Sequence, residues 1–166
     1  MFSAATTTDV PGMYEKVELH DGAAWVVLDP SRYPIVITDW VGVPTTQLVD
    51  RYFEIYVALL QDIDRVGGRC VLITTADRAG RPPADVRKRI GDRTIEHREL
   101  ISRLVVGNAV VSSNPLIRGA MTAISWMDPS MSVPFLSSLD EGFAYARRAL
   151  ADHGVDLPAI VTAVPT

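Results

Sequence analysis

Three histidines and one cysteine are the side chains best suited to acid–base or nucleophilic chemistry in this chain. His20 falls in a turn, His97 on a charged helical stretch and His153 near a helix end. None has a second metal ligand at short spacing, so the sequence proposes no metal site. Cys70 would need an adjacent base to act as a nucleophile, and it lies inside an apolar strand pattern. There it reads as an inert, buried small hydrophobe. A Gly-x-Ser-x-Gly elbow, a P-loop and a dinucleotide fingerprint are all absent. No cofactor is expected, and the chain reads as a non-enzyme.

Two stretches are better placed for binding. Thr75, Asp77, Arg78 and Arg81 follow the C-terminal end of a central strand, where open α/β sheets often hold ligands. Arg78 and Arg81 are candidates for an anion near the free amides of the next helix. The alternative is a solvated loop with ordinary arginines. The second stretch is the Asn114 N-cap and the small, apolar helix over 115–127, whose only charge is Arg118. Asn114, Arg118, Met121 and Trp126 are its candidates for contact with a hydrophobic ligand or a dimer partner. The alternative is a buried helix whose small residues let it lie close to the sheet.

The elements that must position these residues centre on Pro34 to Thr75. Pro34 to Trp40 and Arg69 to Thr75 are apolar strands. Between them Leu48, Tyr52, Ile55, Tyr56, Leu59, Leu60 and Ile63 recur at helical spacing from a Thr45 N-cap to Gly67-Gly68. Strand, helix and strand make a βαβ crossover, which fixes the sheet as at least partly parallel. Before it, Val17 to Leu28 reads as a hairpin around Asp21-Gly22, broken by Asp29-Pro30-Ser31. After it comes one charged helix, with Pro82 and Pro83 in its first turn and its end near Arg103. Gly91 is a candidate bend or break. Leu104 to Val110 reads as a further strand. The Asn114-Pro115 helix follows and stops at Asp128-Pro129. Met131 to Phe135 is a short strand. Ser138 and Glu141 make a capping box for a last helix, with Gly154 past its end.

The composition is that of a globular domain: 48% hydrophobic and 22% charged residues over 166 positions. We expect a loose tail over residues 1–12, one α/β domain over 13–154 and a C-terminal tail over 155–166. Net charge is −4, a poor match for a nucleic-acid partner. The segment Asp77 to Arg103 runs against this balance, with eight Lys or Arg and five Asp or Glu. Such a stretch steers an acidic partner or surface, or is a solvent face stitched by ion pairs. Met1 to Pro11 lacks the basic and apolar regions of a secretory leader, and no run is long enough for a membrane helix. A cytoplasmic location is expected.

The element order resembles the STAS-like family of the bacterial anti-sigma-factor antagonist type, in its SpoIIAA-like branch. The resemblance spans residues 14–152. It is strongest at Ser113-Asn-Pro-Leu-Ile-Arg118, along the apolar stretch to Trp126, and at Phe135-Leu-Ser-Ser-Leu-Asp-Glu-Gly-Phe143. It implies a mixed, mainly parallel sheet flanked by helices. It also implies a non-catalytic module of bacterial signalling that docks to a protein partner, with a homodimer as one such pairing. Some members of this fold group resemble lipid-binding CRAL-TRIO domains. Signalling members carry a phosphorylatable serine at the start of the helix after the central strand. Thr74 to Pro83 has no serine, only the hydroxyls of Thr74 and Thr75, and departs from that pattern. A second reading is therefore a carrier or sensor of a small, lipid-like apolar ligand held between the sheet and helix 115–127.

Overall fold

The turn at Asp21-Gly22 folds β1 (Val17–Asp21) onto β2 (Ala24–Arg32) as an antiparallel hairpin. Gly22 takes a φ of 60°, as the first central residue of a two-residue hairpin loop requires. The computed structural model that shows this describes residues 14–127 and 133–157. The expected tail at residues 1–12, the stop at Asp128-Pro129 and residues 158–166 lie outside the described residues. The hairpin departs from the sequence reading at one point. Asp29-Pro30-Ser31 does not end β2; the strand continues to Arg32 with an irregular register between Asp29 and Arg32. Pro30 has no N–H for the ladder, and a local irregularity accommodates it.

The crossover forms as its pattern predicts. β3 (Ile35–Val41) and β4 (Cys70–Thr75) pair in parallel, Ile35 opposite Val71. Between them runs α1 (Thr46–Arg65), capped by Thr45, whose hydroxyl oxygen accepts the Leu48 amide at 3.1 Å. The same hydroxyl donates to Asp21, so the cap also ties the helix start to the hairpin turn. Leu48, Val49, Tyr52, Phe53, Tyr56, Leu59, Leu60 and Ile63 are buried along one face. Each such side chain contributes about 1.5–3 kcal/mol of gross transfer free energy. Gly67, at φ 67°, turns the chain back towards β4.

The charged stretch forms two helices, α2 (Ala84–Glu96) and α3 (Arg98–Leu104), rather than one. The prolines lie outside the first turn: Pro83 is the N-cap, extended at ψ 165°. Pro82 is held out of helical space by the proline that follows it. The break falls at His97, not at Gly91, which is buried within α2. Many of the basic residues here reach carboxylates on α1: Arg93 meets Asp50 at 2.8 Å, Arg89 meets the same carboxylate at 3.5 Å, and Arg103 pairs with Asp64.

β5 (Val105–Val111), α4 (Pro115–Met127), β6 (Phe135–Leu136) and α5 (Leu139–Asp152) complete the chain. The short strand expected from Met131 begins its pairing only at Phe135, and Met131 and Ser132 lie outside the described residues. The capping box is displaced by one position. Ser138 accepts the Glu141 amide, but Glu141 reaches back to the amide of Ser137 at 2.8 Å.

The six strands run in sequence order, antiparallel from β1 to β3 and parallel from β3 to β6, making one mixed sheet. Helices α1 to α3 cover one face over Val26, Leu28, Val36, Cys70 and Leu72. Helix α5 covers the other, packing Ala146 and Leu150 on Ile35, Val71, Ile73 and Val111.

Leu60 is fully buried in this core. Replacing it by Ala is expected to cost about 2–5 kcal/mol, and Thr45→Ala about 1 kcal/mol. Urea unfolding measures both. Equal losses would mean that α1 is held by its cap rather than by its apolar face.

Candidate functional site

On the α1 face, α1 packs over β1 and β2 rather than over β5. α3 meets the start of β5, and α4 meets its far end, where Ile117 packs on Ala76 and Val110. Helix α4 leans mainly on α2 rather than lying flat on the sheet. The helices therefore frame a space over the middle of β4 and β5 instead of closing it.

That space is a cavity of about 510 Å³, within the size range of small-molecule sites. Leu72, Thr74, Asn108 and Val110 of the sheet form its floor. Trp40, Tyr52, Phe53 and Tyr56 supply an aromatic wall, and Ile90, Ile101, Ile117, Ala120 and Met121 supply the roof. It also reaches the edge of β5. Among the described residues β6 pairs only with Val110 and Val111 and does not reach Asn108. There the Tyr145 hydroxyl takes the place of a strand: it accepts the Asn108 amide at 3.1 Å and faces the Asn108 carbonyl at 3.3 Å.

The aromatic wall is internally braced. Tyr52 stacks on Tyr56 with ring centroids 5.5 Å apart and meets Trp40 edge-on at 5.1 Å. The Tyr52 hydroxyl shares a 3.2 Å hydrogen bond with Thr38, a buried polar side chain of the sheet. Burial pushes the Tyr52 and Tyr56 phenols well above the usual tyrosine range. Both remain neutral donors at any physiological pH.

The sequence candidates divide between this cavity and the rim of the sheet. Met121 lines the cavity, whereas Trp126, at 80% exposure, faces solvent with Leu116. Helix α4 is thus not buried all round. A Cβ on Gly119 would meet nothing within 4 Å, so this small residue does not serve close packing. Asn114 starts the helix by accepting the Leu116 amide at 3.0 Å. Arg118 donates to the Ser112 carbonyl at 3.2 Å and lies over the Phe135 ring. Thr75 donates to Asp39 at 2.7 Å, and Arg78 pairs with the other oxygen of the same carboxylate. Asp77 accepts the Ser113 amide at 3.0 Å, joining the loop to the start of α4. Arg81 is exposed and has no polar partner among the described residues. Arg78 already answers an internal carboxylate, and Arg81 stands apart from it.

The groups suited to catalysis are dispersed. His20 contacts Glu18 on the hairpin, His97 lies against Phe53 at the α2–α3 break, and His153 bonds the Ala149 carbonyl. Cys70 is 1% exposed, and burial pushes its thiol up to about 12. Among the described residues no group of three or more His, Cys, Asp or Glu is placed to hold a metal, and no helix is long and apolar enough to cross a membrane.

Helix 115–127 and the sheet, named together in the sequence reading, both line this space, whereas the aromatic wall and the particular floor residues were not singled out. The signal for the floor was Asn108, a polar residue interrupting an apolar strand. Tyr52 and Tyr56 were legible as core, with nothing in their spacing to show that they border a ligand-sized space.

Among solved structures, the chain is similar to an uncharacterized protein of the DUF3478 family with a SpoIIAA-like fold from Shewanella loihica PV-4. The match has a TM-score of 0.51 at 11% identity and covers 81% of this chain and 99% of that one. At that identity the likeness concerns the fold, which is SpoIIAA-like. No protein-family model and no curated protein matches the chain.

The state of the Cys70 thiol is directly measurable. In native protein at pH 8 it is expected not to react with a disulfide reagent such as Ellman's, and to react promptly in urea. Cys70, Tyr52 and Tyr56 all have folded values raised above their unfolded ones. Their contribution to stability is therefore complete below the unfolded values of about 8.5–10. It declines as pH rises through the folded ones. Fast thiol labelling in the native state, or stability rising above pH 9, would contradict the burial of these groups.

Proposed function

We propose that this chain is a non-enzymatic, SpoIIAA-like regulatory module whose input is one small apolar molecule and whose output is contact with a protein partner. The observation that carries the ligand reading is the apolar cavity of about 510 Å³ between the sheet and α2, α3 and α4. Its wall of braced aromatic rings offers a large contact area with few rotamers to freeze, which favours binding over closure by collapse. The buried Cys70 and the dispersed histidines support a role without catalysis.

The partner reading rests on a second observation. Helix α4 turns Ile117, Ala120 and Met121 towards the cavity and exposes Leu116 and Trp126 on its outer side, at 59% and 80%. One helix therefore meets both the ligand space and the surroundings. A change in cavity content that shifts α4 would be felt at the outer face, where a regulatory protein or a second copy of the chain would dock. The setting we assign is the bacterial cytoplasm.

The test uses the neutral fluorophore N-phenyl-1-naphthylamine and an Ala120→Phe variant. Ala120 is 4% exposed and lines the cavity, so a phenyl group there occupies ligand space. The natural protein is expected to bind one probe per chain with enhanced fluorescence. The variant should bind at least tenfold more weakly while keeping its melting temperature. A variant that keeps full probe binding, or a natural protein that binds none, would overturn the ligand reading.

A further inference from the structure

The cavity floor carries two polar side chains that the fold does not use. Leu72 pairs with Asn108 and Thr74 with Val110 across the parallel β4–β5 ladder. Thr74 and Asn108 therefore stand on neighbouring strands, two positions offset, on the face that lines the cavity. The backbone of Asn108 is satisfied by Tyr145 at the strand edge. Its carboxamide, like the Thr74 hydroxyl, makes no hydrogen bond to another described residue. The contrast with Thr38 is direct, since that hydroxyl is turned to Tyr52. A carboxamide and a hydroxyl with no protein partner, on a mostly apolar lining, are available to hydrogen-bond a ligand that displaces water from the space. Both residues are half-buried, so the two groups face the open space rather than a sealed interior, and no fully buried polar side-chain atom among the described residues lacks a hydrogen bond.

We propose that Thr74 and Asn108 form a polar seat for the head of the ligand, and that the ligand is an apolar molecule bearing one neutral oxygen function, a carbonyl or a hydroxyl. This inference rests on the ligand reading above. The neutrality follows from the floor. It has two neutral donor–acceptor groups and no cation, so an ionised carboxylate placed there would give up water with no opposite charge to offset it. Arg98, the cationic side chain that lines the cavity, belongs to α3 and is exposed. It would serve a charged head only in the reverse orientation. With the head on Thr74 and Asn108, the apolar body lies under Ile90, Ile101, Ile117 and Met121.

Three probes of one size separate the possibilities: propylbenzene, propiophenone and 3-phenylpropanoate. Their binding is followed by nuclear magnetic resonance titration of the full chain and of the Thr74→Val and Asn108→Leu variants. The natural protein is expected to bind propiophenone most tightly. Each variant should lose about five- to tenfold of that affinity, the worth of one hydrogen bond, and keep its affinity for propylbenzene. Thr74→Val is nearly isosteric and answers the question if Asn108→Leu does not fold. Equal binding of propylbenzene and propiophenone, unchanged by either variant, would overturn the polar seat and leave the ligand reading standing. Tightest binding of 3-phenylpropanoate, lost in Arg98→Gln, would overturn the neutral head. Binding of none of the three would count against both readings.

Discussion

The packing of α1 on the sheet sets the terms for everything else on that face. Its buried stripe runs from Leu48 to Ile63 and seals β1 to β3 and the near side of β4. A single helix cannot also cover β5, which lies two strands beyond β3. The remaining face must be closed by elements arriving from elsewhere. The chain sends α2 and α3 along the flank of α1, tied to it through Asp50 and Asp64, and α4 along α2. The result is a ring of supports around β5 rather than a lid pressed onto it.

The opposite face shows how the same strands look when closed. There α5 lies directly on β4 and β5, and Gly142 permits that approach. A Cβ at this position would come within 3.3 Å of Ile73 and Val111. The two faces of β5 thus differ in kind. One is packed by small residues at close range, and the other borders a space walled by aromatic rings. That ligand-sized space is why we place the function there and not at the ion-paired rim around Asp39 and Arg78.

Much of this architecture was legible in the chain itself. The crossover could be read because the periodicity of α1, its Thr45 cap and its Gly67 terminus all agree. The later elements could be read from their own caps and patterns, and their order is what resembles SpoIIAA-like domains. Errors arose where proline and local geometry compete with pattern. Pro30 suggested a strand end where β2 continues irregularly, and the charged stretch concealed a break at His97 because neither side of it changes composition. The cavity was half legible. Helix 115–127 stood out by its small apolar residues. Whether it would press on the sheet or stand away from it depends on where α2 lies, a tertiary fact that no spacing within α4 encodes. Asn108 was visible as a polar interruption, but its unused carboxamide emerges only once the Tyr145 hydroxyl is seen to serve the backbone beside it.

The claim on which the account turns is that an apolar, ligand-sized space exists over β4 and β5. A crystal of the full chain pressurised with xenon tests it most directly, because xenon enters dry apolar cavities without needing a specific contact. The account predicts xenon density between Leu72 and Val110 of the floor and Ile117 and Ala120 of the roof. A site empty of xenon, with Ile117 and Met121 packed down onto Leu72, would contradict it.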